Sequence, residues 1–141
     1  MRAKLQEIAQ ASVKDPTEAL LSSLPEATMH YEVFHNRVLV ATYVRPETTK
    51  GGIIMIDRTL AEDRFQGKVG LVIKVGPRAF VDDNVAQFGG VKVEPGDWVT
   101  YRASDGFELF FVDDNGRDGT PCRLIEDAHI LGRTPDPALI Y

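Results

Sequence analysis

From Tyr31 onward the chain is written in short runs of β-branched and aromatic residues cut apart by tight turn signals, and no other feature restricts the fold so much. Such side chains lose rotamer freedom against the turn of a helix but pack well on a pleated surface. The expected strands are Arg37 to Val44, Gly67 to Val75, Trp98 to Arg102, Glu108 to Val112 and Cys122 to Ile125. Glu94-Pro95-Gly96-Asp97 predicts a tight turn, with proline setting one dihedral and glycine free to take a positive φ. Ser104-Asp105-Gly106 reads as a hairpin connection by the same chemistry. The fold class is all-β, a sandwich or small barrel.

Helix is confined to the residues before Tyr31. Leu5, Ile8 and Ala9 recur at helical spacing, and Asp15-Pro16-Thr17-Glu18 supplies an N-cap, a first-turn proline and a capping-box acid. Leu20, Leu21 and Leu24 are the expected buried stripe, and Pro25 ends the helix because the residue before a proline is pushed out of helical geometry. Residues 1–30 therefore read as a short helical N-terminal arm, 31–133 as the β domain and 134–141 as a C-terminal tail.

The chain has 141 residues, which suits one folded domain beside that arm. With 43% hydrophobic and 26% charged residues it is not a disordered acidic chain, and a net charge of -5 without a Lys/Arg cluster argues against a nucleic-acid partner. Cys122 is the only cysteine, so no internal disulfide forms and a thiolate-rich zinc site is excluded. A reducing, cytoplasmic setting fits. The opening residues lack the continuous apolar stretch of a secretory signal, and no segment has the roughly 20 apolar residues of a membrane helix.

One stretch breaks the strand pattern. Arg45 to Gln66 lies between two strands, and a connection of that length inside a compact domain is usually functional or disordered. Pro46, the Thr48-Thr49-Lys50-Gly51-Gly52 run and the charged Glu62-Asp63-Arg64 predict a mobile loop. Within it sits the apolar tetrad Ile53-Ile54-Met55-Ile56. Four apolar residues at a polar loop tip ask for a partner; the plainer alternative is a buried strand flanked by ordinary turn glycines.

These elements together resemble the GroES, or ten-kilodalton chaperonin, family. His35-Asn36-Arg37-Val38-Leu39-Val40 is similar to the family's opening strand, and Gly51-Gly52 followed by three aliphatic residues resembles its mobile loop. Gly67-Lys68-Val69 with Val72 to Gly76 resembles the strand after that loop. Val93-Glu94-Pro95-Gly96-Asp97-Trp98-Val99 resembles its turn and strand, and Cys122 to Leu131 its closing strand and end. The resemblance covers about residues 33–132. It implies a GroES-like small β-barrel that forms a heptamer, caps a chaperonin ring, encloses a folding substrate and hydrolyses nothing itself. By the same resemblance Ile53, Ile54 and Met55 are the chaperonin-binding residues and Gly51 and Gly52 the loop hinge. No cofactor and no nucleotide are expected.

Three departures stand out: the arm at 1–30, an apolar-rich Pro77 to Gly90, and a tail beyond Thr134. Such elaboration resembles co-chaperonins encoded by bacteriophages, which would place the protein in host cytoplasm. The rival reading is a phage structural or decoration protein on the same barrel, with the loop packed on neighbouring subunits. Cys122 and His129 as a nucleophile and base lack a third orienting group, so a core cysteine and surface histidine are expected. Asp82-Asp83-Asn84 and Asp113-Asp114-Asn115-Gly116 lack EF-hand ligand spacing and read as turns. His30 and His35 read as structural.

Overall fold

The computed structural model describes residues 16–44, 68–82, 88–113, 115–116 and 118–140. Among these residues two short helices, α1 (Pro16–Ser23) and α2 (Glu26–His30), precede six strands: β1 (Arg37–Thr42), β2 (Val69–Val75), β3 (Trp98–Thr100), β4 (Phe107–Val112), β5 (Asp118–Glu126) and β6 (Gly132–Thr134). All pairings are antiparallel, in the order β4-β5-β1-β2-β3-β6. Among the described residues β4 and β6 do not pair, so the sheet is not closed.

β1 explains why the core has two layers. Its Val-Leu-Val-Ala run is apolar without alternation, the pattern of a strand covered on both faces, and all four residues are fully buried. Alternation sends Val38 and Val40 to one side, with Val72, Val99, Tyr101 and Ile125. Leu39 and Ala41 go to the other, with Cys122. On that second side Leu20 of α1 and Leu24 just after it pack over the strands, and Ile140 joins a third cluster with Val69, Leu71 and Trp98. Leu21, expected in the same stripe, is 47% exposed, because an eight-residue helix lying on a sheet covers only a narrow line.

The expected turns form, with one difference. Gly96 takes φ +99° between Glu94 and Asp97, whose amide donates to the Glu94 carbonyl. Ser104-Asp105-Gly106 also turns, with Gly106 at φ +88°, yet the strands it joins are not paired: β5, β1 and β2 lie between β4 and β3. On a flat sheet that span is about 19 Å at ~4.8 Å per strand spacing. Residues 101–106 fold back at Arg102, where the Asp105 amide donates to the Arg102 carbonyl. A folded connection bridges the gap only if the sheet curls, so the first layer is the inside of a barrel-like curve. Arg123 holds this folded connection, its guanidinium donating to the carbonyls of Ala103 (2.7 Å) and Asp105 (2.8 Å) and to Glu108 (3.1 Å).

β5 starts earlier than its apolar residues suggest, since Asp118 and Pro121 pair with Val112 and Phe110 of β4. β6 has no apolar signature at all and is held by backbone pairing of Gly132, Arg133 and Thr134 with β3. The turn after β5 is pinned by Asp127. Its buried carboxylate accepts hydrogen bonds from Asn36 Nδ2 (3.1 Å), the Phe80 amide (3.0 Å) and the Ala128 amide (2.7 Å). That one side chain ties together His35-Asn36 and Phe80, where His35 and Phe80 are non-glycine residues at positive φ.

Candidate functional site

Ile53, Ile54, Met55, Gly51 and Gly52 lie outside the described residues. What is described is the base from which their segment springs. β1 and β2 pair from Val38 opposite Val75 to Thr42 opposite Gly70, and the Tyr43 amide extends the ladder to the Val69 carbonyl at 2.9 Å. The chain therefore leaves the sheet at Val44 and re-enters at Lys68 on neighbouring central strands. The Tyr43 ring meets Trp98 edge to face at 5.5 Å, and the Tyr101 amide donates to the Lys68 carbonyl at 3.0 Å. Beneath the pair, Tyr101 is buried with its ring 5.8 Å from the Arg123 guanidinium carbon, and its hydroxyl donates to the Val69 carbonyl at 3.4 Å.

Burial dominates the chemistry of this base. It pushes the Tyr101 phenol up to about 12, against the opposing pulls of the Thr42 hydroxyl and Arg123, and pushes the Cys122 thiol up to about 12 as well. Both groups are held neutral, which removes the thiolate that a nucleophilic Cys122 needs. Cys122 packs with Leu39 and Ala41 while its Sγ lies 3.5 Å from the Thr120 carbonyl, whereas His129 sits in the turn after β5, 3.6 Å from Glu126. The sign of the pH dependence follows. The unfolded chain loses these two protons near their ordinary values of 9.0 and 10.0 while the folded chain keeps them to about 12, so folding stability is full below pH 9 and falls as pH rises toward 12. Urea melts at pH 8 and pH 11 check this, and a Cys122→Ser variant should keep only the tyrosine share of the loss.

Of the two acidic clusters only Asp82, Asp113, Asn115 and Gly116 are among the described residues, and the last three form a turn. Asp113 Oδ1 accepts from the Asn115 amide at 2.9 Å and the Asp113 carbonyl from Gly116, while Asp82 Oδ1 accepts from the Phe88 amide at 2.9 Å. Among the described residues no group of three His, Cys, Asp or Glu side chains is placed to hold a metal ion, and no helix is long and apolar enough to cross a membrane.

Sequence reasoning passed over the stretch that follows α2. Tyr31 to Phe34 runs in non-helical backbone, and among the described residues the amides of Glu32, Val33 and Phe34 make no hydrogen bond. Beside it lies an open groove of about 520 Å³ lined by Tyr31, Val33, Phe34, Ile73, Lys74 and Pro95 among others. Phe34 is 62% exposed at its rim. Nothing in the residue types of Tyr31-Glu32-Val33-Phe34 distinguishes a free edge from a paired strand, so only the missing partner reveals it.

A curled antiparallel sheet with a long connection between its central strands is the architecture of a small barrel-like β domain. The profile of the chaperonin 10 Kd subunit family matches residues 30–132, and the chain belongs to that family of GroES-like co-chaperonins, non-enzymatic regulators that act with a chaperonin. No curated protein sequence matches the chain.

Proposed function

We propose that this co-chaperonin caps a chaperonin ring through the segment 45–66, with Ile53, Ile54 and Met55 seated in an apolar groove of the ring and Gly51 and Gly52 as the hinge. The observation that carries this reading is the family match over residues 30–132, which takes in the whole segment and both central strands that anchor it. Burying each anchor stabilises the contact by roughly 1.5 to 3 kcal/mol, while ordering the backbone costs about 1 to 2 kcal/mol per residue. A single docked segment is therefore weak. Several copies on one cap bind well, because every contact after the first is effectively intramolecular.

The assembly we propose is a heptameric ring of this chain. Support comes from the Glu32 to Phe34 amides, which are free among the described residues and suit pairing with a neighbouring subunit. The chain itself turns over no nucleotide in this reading and assists ATP-dependent folding only through its partner.

Incubation with a GroEL-like ring, with and without nucleotide, followed by affinity capture and native mass measurement, tests the proposal. The expected result is a free heptamer that is retained by the ring only with nucleotide. A monomer or trimer that ignores the ring and assembles only on a particle would overturn it in favour of the decoration protein.

A further inference from the structure

The family match begins at residue 30, yet residues 16–30 are docked on the sheet by a chain of specific contacts. At one end Trp98 Nε1 donates to Thr17 Oγ1 at 2.9 Å. In the middle Leu20 and Leu24 lie on the layer that contains Leu39, Ala41 and Cys122. At the other end Ser23 Oγ is 3.1 Å from Thr120 Oγ1, and Pro25 fills the space a side chain on Gly119 would need, its Cγ only 2.6 Å from where that Cβ would stand. The arm thus crosses the sheet from β3 to β5.

Its hold is nevertheless slight. α1 has eight residues and α2 five, both shorter than a helix needs to persist alone, and α1 buries no residue fully. Thr28 is fully buried with no hydrogen-bond partner for its hydroxyl, so closing the arm leaves a desolvated polar group. The strands beneath are different in kind, with Leu39, Ala41 and Leu71 at 0% exposure within paired ladders. A segment with few buried contacts, lying on strands paired along both sides, opens at lower free energy than the sheet unfolds.

The arm's end is also wired to the free edge. Lys74 Nζ on β2 donates to the Met29 carbonyl at 2.5 Å and to the Tyr31 carbonyl at 2.7 Å. These charge-assisted bonds fix the first residue of the Tyr31 to Phe34 stretch. We propose that residues 16–30 are a latch that opens and closes separately from the sheet and, when closed, holds the Tyr31–Phe34 edge in place for a neighbouring subunit. The coupling to the neighbour rests on the ring assembly proposed above; the latch itself does not.

Two native reporters lie under it, since the chain has one Trp and one Cys. Iodoacetamide labelling of Cys122 in the full chain, at urea concentrations below the unfolding transition, reads the opening, and Trp98 fluorescence reads the other end. The expected labelling rate is nearly independent of urea in that range. Leu24→Asp should raise it at least tenfold with the far-UV dichroism of the sheet unchanged, and an oxidised Ser23→Cys/Thr120→Cys clamp should lower it at least tenfold. Labelling that follows global unfolding, with the same urea dependence, overturns the latch. So does a clamp without effect, which decides the matter even if Leu24→Asp fails to fold. Native mass then reads the coupling: the Leu24→Asp ring should dissociate at concentrations where the native ring persists, and an equally stable ring overturns that half of the proposal. A native chain that forms no ring disproves the ring assembly instead, while the labelling still decides the latch.

Discussion

Replacing Ile54 with aspartate is expected to abolish retention of the cap by a chaperonin ring, a loss of more than a hundredfold in affinity. The argument starts from the sequence Gly51-Gly52-Ile53-Ile54-Met55-Ile56, where the middle anchor of the triplet carries no polar atom. Removing one such side chain from an apolar groove forfeits roughly 1.5 to 3 kcal/mol. Putting a carboxylate there adds the cost of desolvating a charge without a partner, several kcal/mol more after relaxation. The loss recurs in every subunit of the ring, so avidity amplifies it. In the proposed reading the triplet is held outside the β core, so the urea midpoint should stay within a few tenths molar of the native value. Ile56→Asp is the internal control: it lies just outside the triplet and should weaken capture far less. Surface binding to an immobilised ring in the presence of nucleotide measures both, and an Ile54→Asp chain that binds as the native one does removes the triplet from the mechanism.

The largest expected effect on stability is at Gly76, where β2 ends against the turn into β1. Its amide donates to the Arg37 carbonyl at 2.8 Å. A Cβ at this position would stand 2.4 Å from the His35 carbonyl oxygen, 2.9 Å from that of Arg37 and 3.0 Å from that of Phe34. All three obstacles are backbone, so no side-chain rotation relieves them, and two flank His35, which is already at φ +55°. Gly76→Ala should therefore force β1 and β2 apart at their paired end and cost about 3 kcal/mol. For a domain of this size that is a fall of roughly 10 °C in Tm. Thermal melts at one fixed protein concentration give the comparison, since assembly makes Tm concentration-dependent. A variant that melts within 2 or 3 °C of the native chain, with about the same cooperativity, would show that the carbonyls around Gly76 yield to a methyl group at little cost.

Where the sequence was readable, the reason is visible in particular residues. β1 and β2 are legible because Val38 to Ala41 and Val69 to Val72 are apolar runs that only a doubly covered strand accommodates. The turn at Gly96 is legible because proline and glycine act through their own backbone. β6 is not, because Gly132, Arg133 and Thr134 are held by main-chain bonds to β3 that carry no side-chain signal. The pairing of β3 and β4 misleads for a related reason. Asp105-Gly106 encodes a turn but not which strands it joins, and that is decided by Arg123, twenty residues away from Ala103 in sequence. Of the proposed site, the apolar tetrad Ile53 to Ile56 stands out in the sequence, whereas only the resemblance of its surroundings to a family singles out Ile53, Ile54 and Met55, all of which lie outside the described residues. The Lys74 anchor and the Asp127 pin are invisible at the sequence level, since each acts on carbonyls or amides far along the chain.

The placement of the long connection between β1 and β2 has a mechanical consequence. Both strands are interior to the sheet, with β5 bonded along β1 through five register pairs and β3 along β2 through three. A tug on that connection draws the two strands lengthwise between their neighbours and loads those ladders in shear, all bonds at once, instead of peeling a rim strand one bond at a time. A load applied through residues 45–67 is therefore borne by both ladders together.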